Sequence, residues 1–214
     1  MYQDVYEFID NNLKTYNEIE YVHKHNNEYR TLYIIFAGAI DKFVCISWFY
    51  EIDYNCLWIK DTQPYMSYTN PEFSILIDKY SQMYNNVVMF GMSMGGIGAL
   101  IHSQNITNCN AVIAIDCEPR GINEDDALNL ITNVNKCKIH LISCSNQDEQ
   151  IFHNKLAQKF NNVIIEKCPR KEHLSNIPSK KYLIALFDLY GNIPYDAFYV
   201  NAWDKKNEKE FQWN

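Results

Sequence analysis

Ser93 has a glycine two positions away on either side, in Gly91-Met92-Ser93-Met94-Gly95, and Gly96 follows directly. The apolar run Asn86-Val87-Val88-Met89-Phe90 leads into this stretch, and Ile97-Gly98-Ala99-Leu100-Ile101-His102 leads away from it. The pattern predicts a strand, a sharp turn and a helix, with the serine at the apex. A turn this tight brings strand and helix so close that the flanking positions must lack side chains. It strains the serine backbone, aims the hydroxyl out of the sheet and places it at a helix N-terminus, where the dipole favours negative charge. Those are the requirements of a nucleophile for acyl transfer. A plain glycine-rich turn accounts for the glycines but not for the strand before them and the helix after.

A serine needs a base within hydrogen-bond reach, and the base needs an acid to orient it. His102, His140, His153 and His173 follow the serine. His102 sits turns away on the same helix and points elsewhere, His140 falls mid-strand and reads as structural, and His153 falls on a later helix. His173 follows the last strand, in Cys168-Pro169-Arg170-Lys171-Glu172-His173. A loop at the C-terminal edge of a parallel sheet is where open α/β folds place their sites, so His173 is the expected base. The acid belongs just past the strand at 138–143, where Asp148 is the first choice and Glu149 its neighbour. Asp116, at the end of Ile113-Ala114-Ile115, is the competitor. The oxyanion of the transition state needs fixed N–H donors. Met94, the residue after the serine, supplies one. Ala39 supplies the other from the loop after Phe36-Ala37, where Gly38 permits close backbone approach.

The elements that position these groups are legible from the apolar pattern. Thr31-Leu32-Tyr33-Ile34-Ile35-Phe36, Val87–Phe90, and Ala111-Val112-Ile113-Ala114-Ile115 are unbroken apolar runs, which suit strands buried on both faces of a parallel sheet. Cys56–Lys60, Lys138–Ser143 and Val163–Lys167 read as further strands, and 18–25 alternates. Helices are expected over 3–16, 71–84 (opened by Asn70-Pro71), the stretch from the turn to about Gln104, 124–133, 150–160 and 179–190. Strands alternating with helices predict an α/β fold: a doubly wound, mainly parallel sheet in three αβα layers, within a single domain spanning 1–214. Residues 192–214 form an irregular aromatic C-terminal extension, read as packed against the domain. About 55 residues part Ser93 from Asp148, which leaves no room for a large lid domain.

Composition narrows the function further. The 214 residues are 47% hydrophobic and 21% charged, with a net charge of −7 and no Lys/Arg cluster. That argues against nucleic acid and anionic membrane surfaces as partners. The N-terminal residues show no basic segment followed by an apolar one, and no apolar run reaches membrane-spanning length, so the expected location is cytoplasmic. Seven cysteines without a C-x-x-C pair read as small buried hydrophobes in a reducing compartment. No ligand cluster suggests a metal, and no cofactor is expected.

Over nearly its whole length the chain resembles the α/β-hydrolase superfamily, on the strength of Gly91-Met92-Ser93-Met94-Gly95 and the order Ser93, Asp148, His173. Thr31–Gly38, Leu57-Trp58-Ile59-Lys60-Asp61 and the serine turn are more narrowly similar to small hydrolase-like proteins of bacterial surface-polysaccharide loci. Some of that group resemble O-acetyltransferases and others accessory secretion proteins. The resemblance implies a site role for Asp61, which matches an aspartate after the strand before the serine turn, and with Gly38 it is a candidate for substrate binding. Glu118-Pro119-Arg120 stands where the group often has Pro-Gln. The expected activity is a carboxylesterase-like serine hydrolase that cleaves a short acyl ester through an acyl-enzyme intermediate. The alternatives are an O-acyltransferase (O-acetyltransferase) acting on a carbohydrate, and a non-catalytic component of a polysaccharide or secretion complex. The substrate partner is a small-molecule or carbohydrate ester. Trp48-Phe49-Tyr50 and Tyr65-Met66-Ser67-Tyr68 hold rings able to stack on sugar, although core packing is the commoner use.

Overall fold

In a computed structural model of the chain, the apolar runs at 31–36, 87–90 and 111–115 lie side by side at the centre of one eight-stranded sheet. The structure describes residues 2–26, 29–40, 42–62, 68–119, 122–134, 136–143, 147–167 and 178–191, with the backbone alone for 2 and 147–149. In chain order the elements are α1 (Tyr2–Asn12), β1 (Leu13–Tyr16), β2 (Ile19–Lys24), β3 (Thr31–Phe36), α2 (Ile46–Phe49), β4 (Asn55–Asp61), α3 (Glu72–Ser81), β5 (Asn86–Met92), α4 (Met94–Ser103), β6 (Cys109–Ile115), α5 (Glu124–Leu130), β7 (Lys138–Ser143), α6 (Gln147–Lys159), β8 (Val163–Lys167) and α7 (Lys180–Gly191). The strand order is β1-β2-β4-β3-β5-β6-β7-β8. The β1–β2 and β2–β4 pairings are antiparallel, and the others are parallel.

The doubly wound expectation holds in three layers. Helices α1, α2 and α7 pack on one face, where Val5, Phe49 and Leu183 meet Tyr33, Trp58 and Phe90. Helices α3, α4, α5 and α6 cover the other, where Phe73, Leu100, Ala127 and Phe152 meet Ile34, Met89 and Leu141. From β3 the chain winds outward to β4, then crosses back to β5 and proceeds the other way. The loops leaving β3 and β5 therefore diverge, and a crevice opens above their C-terminal ends at this switch point. Ser93 directly follows β5.

The expected helix over 3–16 is corrected. It stops at Asn12, and Leu13–Tyr16 turn back as an edge strand on β2. The reversal is a two-residue turn in which Asn17 and Glu18 both take positive φ (44° and 65°), the geometry that suits the twist of a tight hairpin. Glutamate in place of glycine hides that turn in the sequence. The helix expected over 124–133 ends at Leu130. Asn123 caps its start by accepting from the Asp125 N–H at 2.8 Å. The helix expected at 150–160 starts earlier, at Gln147. Asn70 opens α3 as expected, its side chain accepting from the Glu72 N–H at 3.0 Å. Among the described residues no helix is long and apolar enough to cross a membrane.

Helix α7 closes the face that carries α1 and α2. Phe187 stacks on Tyr33 (centroids 4.8 Å apart) and on Phe49 (4.7 Å), and meets Phe90 edge-on at 5.4 Å. Thr31 Oγ1 donates to the Gly191 carbonyl at 2.7 Å. His140 is structural, as expected: Tyr190 Oη lies 3.0 Å from Nδ1, and Glu166 Oε2 lies 2.8 Å from Nε2. Removing Phe187 leaves a cavity between α7 and the sheet. Phe187→Ala is expected to lower unfolding free energy by about 3–5 kcal/mol in urea denaturation. A loss below about 1 kcal/mol would mean that α7 does not complete the core.

Candidate active site

At the end of β5 the backbone does what the glycine spacing predicts. Ser93 takes φ 53° and ψ −125°, outside the regions that non-glycine residues ordinarily occupy, and α4 begins at the next residue. Its N–H donates to the Ile115 carbonyl at 2.9 Å, which ties it to the end of β6, and its carbonyl accepts from Gly96 N–H at 3.0 Å. The serine is 3% exposed. Side chains at the flanking glycines are sterically impossible. A Cβ on Gly91 would fall 2.1 Å from the Gly95 carbonyl, and one on Gly95 would fall 2.5 Å from the Ala37 oxygen and 2.6 Å from the Phe36 oxygen. The second clash shows that the loop after β3 belongs to the same knot of backbone.

That loop carries the expected second oxyanion donor. A Cβ on Gly38 would lie 3.3 Å from the Met92 oxygen and 3.9 Å from Ser93 Cβ, so the chain passes directly against the serine. Ala39 follows it and is exposed, while Met94 is fully buried in the first turn of α4. The loop is held from behind. Tyr68 Oη donates to the Ala37 carbonyl at 2.7 Å, and Tyr68 N–H donates to Asp61 Oδ2 at 3.2 Å. Asp61 ends β4 and is 3% exposed, so its carboxylate anchors the tyrosine that fixes the loop. His102 completes this layer. Its Nε2 donates to the Tyr68 carbonyl at 2.8 Å, and its Nδ1 accepts from Ser74 Oγ at 3.0 Å. Burial pushes its ring pKa down to about 4, so it stays neutral and points away from Ser93's turn, as the sequence implied.

The two acid candidates are placed differently. Asp116 follows β6, fully buried, with φ 45°, and its N–H donates to the Ile142 carbonyl at 2.8 Å. It therefore sits one residue beyond the carbonyl that holds Ser93. Asp148 falls in the first turn of α6, just past β7 at the C-terminal edge of the sheet; its side chain, and that of Glu149, lie outside the described residues. His173 also lies outside them. Residues 63–67 and the extension 192–214 are outside as well. Of the rings expected to stack on sugar, Phe49 and Tyr68 are fully buried: Phe49 packs in the core under α7, and Tyr68 packs on Phe36 and Phe73.

Sequence reasoning passed over one buried group. His153 on α6 is fully buried, and its Nε2 lies 3.0 Å from Cys117 Sγ. Its Nδ1 has no hydrogen-bond partner among the described residues. Burial pushes its pKa down to about 4, with the charge of Asp116 opposing that shift. Its helical position carried no signal in the sequence; only the fold brings α6 against the Asp116-Cys117 turn.

No protein-family model and no curated protein matches the chain. Solved structures do. The chain is similar to a mouse α/β-hydrolase domain-containing protein 10 at 10% identity and TM-score 0.58, over 85% of this chain and 98% of that one. It is similar to a Pyrococcus furiosus esterase at 14% identity and TM-score 0.57, over 85% and 88%. It is also similar to a Glycosylation Associate Protein (Gap123) complex from Streptococcus agalactiae at 13% identity and TM-score 0.56, over 73% of this chain but 41% of that one. The chain has the α/β-hydrolase fold.

Three histidines, the buried His102 and His153 and the part-buried His23, set an acid limit. Each has a folded pKa of about 4 against an unfolded value of about 6.5. Between those values the unfolded chain binds protons that the folded chain excludes, so stability rises with pH across the window and is lost as pH falls from about 6.5 to 4. Urea midpoints are expected to drop by a few kcal/mol equivalent between pH 7 and pH 4.5. His102→Gln should flatten that dependence by roughly a third. An unchanged slope in the variant would mean that His102 is not the group excluded from protonation.

Proposed function

We propose that this chain, an α/β-hydrolase by fold, is a serine hydrolase of the carboxylesterase kind acting on a short acyl ester, with Ser93 as nucleophile. One observation carries the reading: Ser93 holds a strained backbone (φ 53°, ψ −125°) at the junction of β5 and α4, beside the sheet's switch point. The Ser93 hydroxyl attacks the ester carbonyl. His173 takes the hydroxyl proton and returns it to the departing alcohol, leaving an acyl-enzyme. Water, activated by the same histidine, then releases the acid. Asp148 holds the imidazole in the productive tautomer. The Met94 and Ala39 amides face the oxyanion, and the Asp61–Tyr68–Ala37 hydrogen bonds keep the second of them in place. The reading requires no cofactor. It places the protein in the cytoplasm with an ester substrate, free or on a carbohydrate.

A second reading has its own support. The likeness to the streptococcal glycosylation-associated complex favours a role in a polysaccharide or secretion assembly, either as an O-acyltransferase to a sugar or as a non-catalytic component.

Fluorophosphonate labelling and p-nitrophenyl acetate hydrolysis separate these readings. Ser93→Ala is expected to abolish labelling and to lower turnover by at least about 10⁴-fold, with His173→Ala close behind. Equal labelling of wild type and Ser93→Ala would sink the serine reading. Absent labelling of a folded wild type would favour the non-catalytic one. Faster transfer from acetyl-CoA to a sugar than to water would identify the transferase.

The acid is decided separately. Asp148→Asn is expected to cost about 10³–10⁴-fold in kcat, and Asp116→Asn to act mainly on stability. The reverse pattern would move the orienting role to Asp116.

A further inference from the structure

Two thiols meet at the opposite edge of the sheet. Cys109 opens β6 and Cys137 immediately precedes β7, the parallel neighbour of β6. Against β5 the register of β6 slips: Val87 pairs with Cys109 and Val88 with Ala111, so Asn110 is an extra residue looped out as a bulge. A bulge re-aims the side chains on one side of it. Ala111, Ile113 and Ile115 face the α7 side of the sheet, whereas Cys109 is turned into the opposite core cluster with Val112 and Ala114. Cys137, Ile139 and Leu141 lie in that same cluster. With Asn110 set aside, Cys109 precedes Ala111 as Cys137 precedes Lys138, and Ala111 pairs with Lys138. The two side chains therefore enter one core cluster from the ends of neighbouring strands and touch one another, and neighbouring strands run ~4.8 Å apart. That lies within the Cα separations that disulfides span.

We propose that Cys109 and Cys137 form a redox-convertible pair, oxidised to a disulfide by exchange with a carboxylate-bearing small-molecule disulfide. Cys137 borders a pocket of about 360 Å³ lined also by Asn110, Lys136, Lys138 and Asn162. Both lysines are exposed and suit a small anionic thiol compound, whereas the asparagine amides are already committed to the Val134, Cys137 and Tyr190 carbonyls. The two sulfurs are not equivalent. A hydrogen bond from Cys109 holds the Cys137 thiol below its ordinary pKa against its burial, and the Ser103 hydroxyl assists. The same contact, with burial, pushes Cys109 well up. Cys137 is therefore the attacking thiolate.

Its sulfur bonds to one sulfur of the small disulfide, the external S–S bond breaks, and one small thiolate leaves. Cys109 then gives up its proton, attacks the Cys137 sulfur and expels the second small thiolate. The two protein thiols are oxidised, and one external disulfide is reduced to two thiols.

The inference does not depend on the Ser93 chemistry. The test treats the reduced, folded full chain with glutathione and glutathione disulfide at graded ratios. Remaining thiols are then blocked, and the digest is mapped by mass spectrometry. The expected product is a single Cys109–Cys137 cross-linked peptide whose yield follows the ratio reversibly, with Cys45, Cys56 and Cys117 still alkylated. Cys109→Ser should trap glutathione on Cys137, and Cys137→Ser should leave Cys109 unmodified. The proposal is overturned if wild type leaves both thiols alkylated at every ratio, if it stops at a mixed disulfide, or if either cysteine pairs elsewhere. Should a variant fail to fold, the wild-type map alone decides.

Discussion

Three stretches of backbone meet around Ser93 at distances that no side chain permits, and much of the molecule is arranged to allow it. Strand β5 enters, α4 leaves, and the loop after β3 lies across both. A methyl group at Gly91 would overlap the Gly95 carbonyl, and one at Gly95 would overlap the Phe36 and Ala37 oxygens. Gly96 lets the same helix settle on β6, since a Cβ there would come within 2.6 Å of Cys117 Cβ. The strained torsions at Ser93 persist because the surroundings over-determine them: its N–H is fixed by β6 and its carbonyl by the first turn of α4.

Around that junction the polar groups are used to hold backbone in place. Asp61 holds Tyr68, Tyr68 holds Ala37, and His102 holds Tyr68 from the other side. Each link satisfies a group that would be costly to bury alone. His102 can serve only while neutral, because both its nitrogens are committed, one as donor and one as acceptor. The rigidity of the loop after β3 and the acid sensitivity of the fold therefore share a cause. Asp61, which the family resemblance suggested for substrate contact, anchors through one tyrosine the loop beside Ser93.

Much of this was legible in the sequence because the signals were local. Unbroken apolar runs announce strands buried on both faces, and a serine framed by glycines between a strand and a helix announces the turn. Asn70-Pro71 announces the start of α3. What was not legible depends on contacts between distant segments. The hairpin at Asn17-Glu18 needs two positive φ values that its residue types do not advertise. Phe49 and Tyr68 look like stacking platforms in sequence and are core residues in space. His153 reads as one more helical histidine until the fold sets it against Cys117. The Cys109–Cys137 encounter depends on one bulge at Asn110, and a single looped-out residue leaves no mark on an apolar pattern.

Strand β6 links the two ends of the molecule where chemistry is proposed. Its first residue is Cys109; its last, Ile115, holds the Ser93 N–H, and Asp116 follows. Seven residues in extended conformation span about 20 Å. A disulfide at the N-terminal edge is thus too far away to touch an ester bound at the C-terminal edge. Its direct effect falls on the bulge and on the β6–β7 pairing beyond it. The central strands of a doubly wound sheet are also the part least able to transmit a small displacement, being paired on both sides and packed on both faces. The thiol exchange proposed at Cys137 and the acyl transfer proposed at Ser93 are consequently separable, although β6 borders both. Oxidation of the pair should be felt as a change in the stability of β6 and β7, with the geometry of the serine turn left as it is.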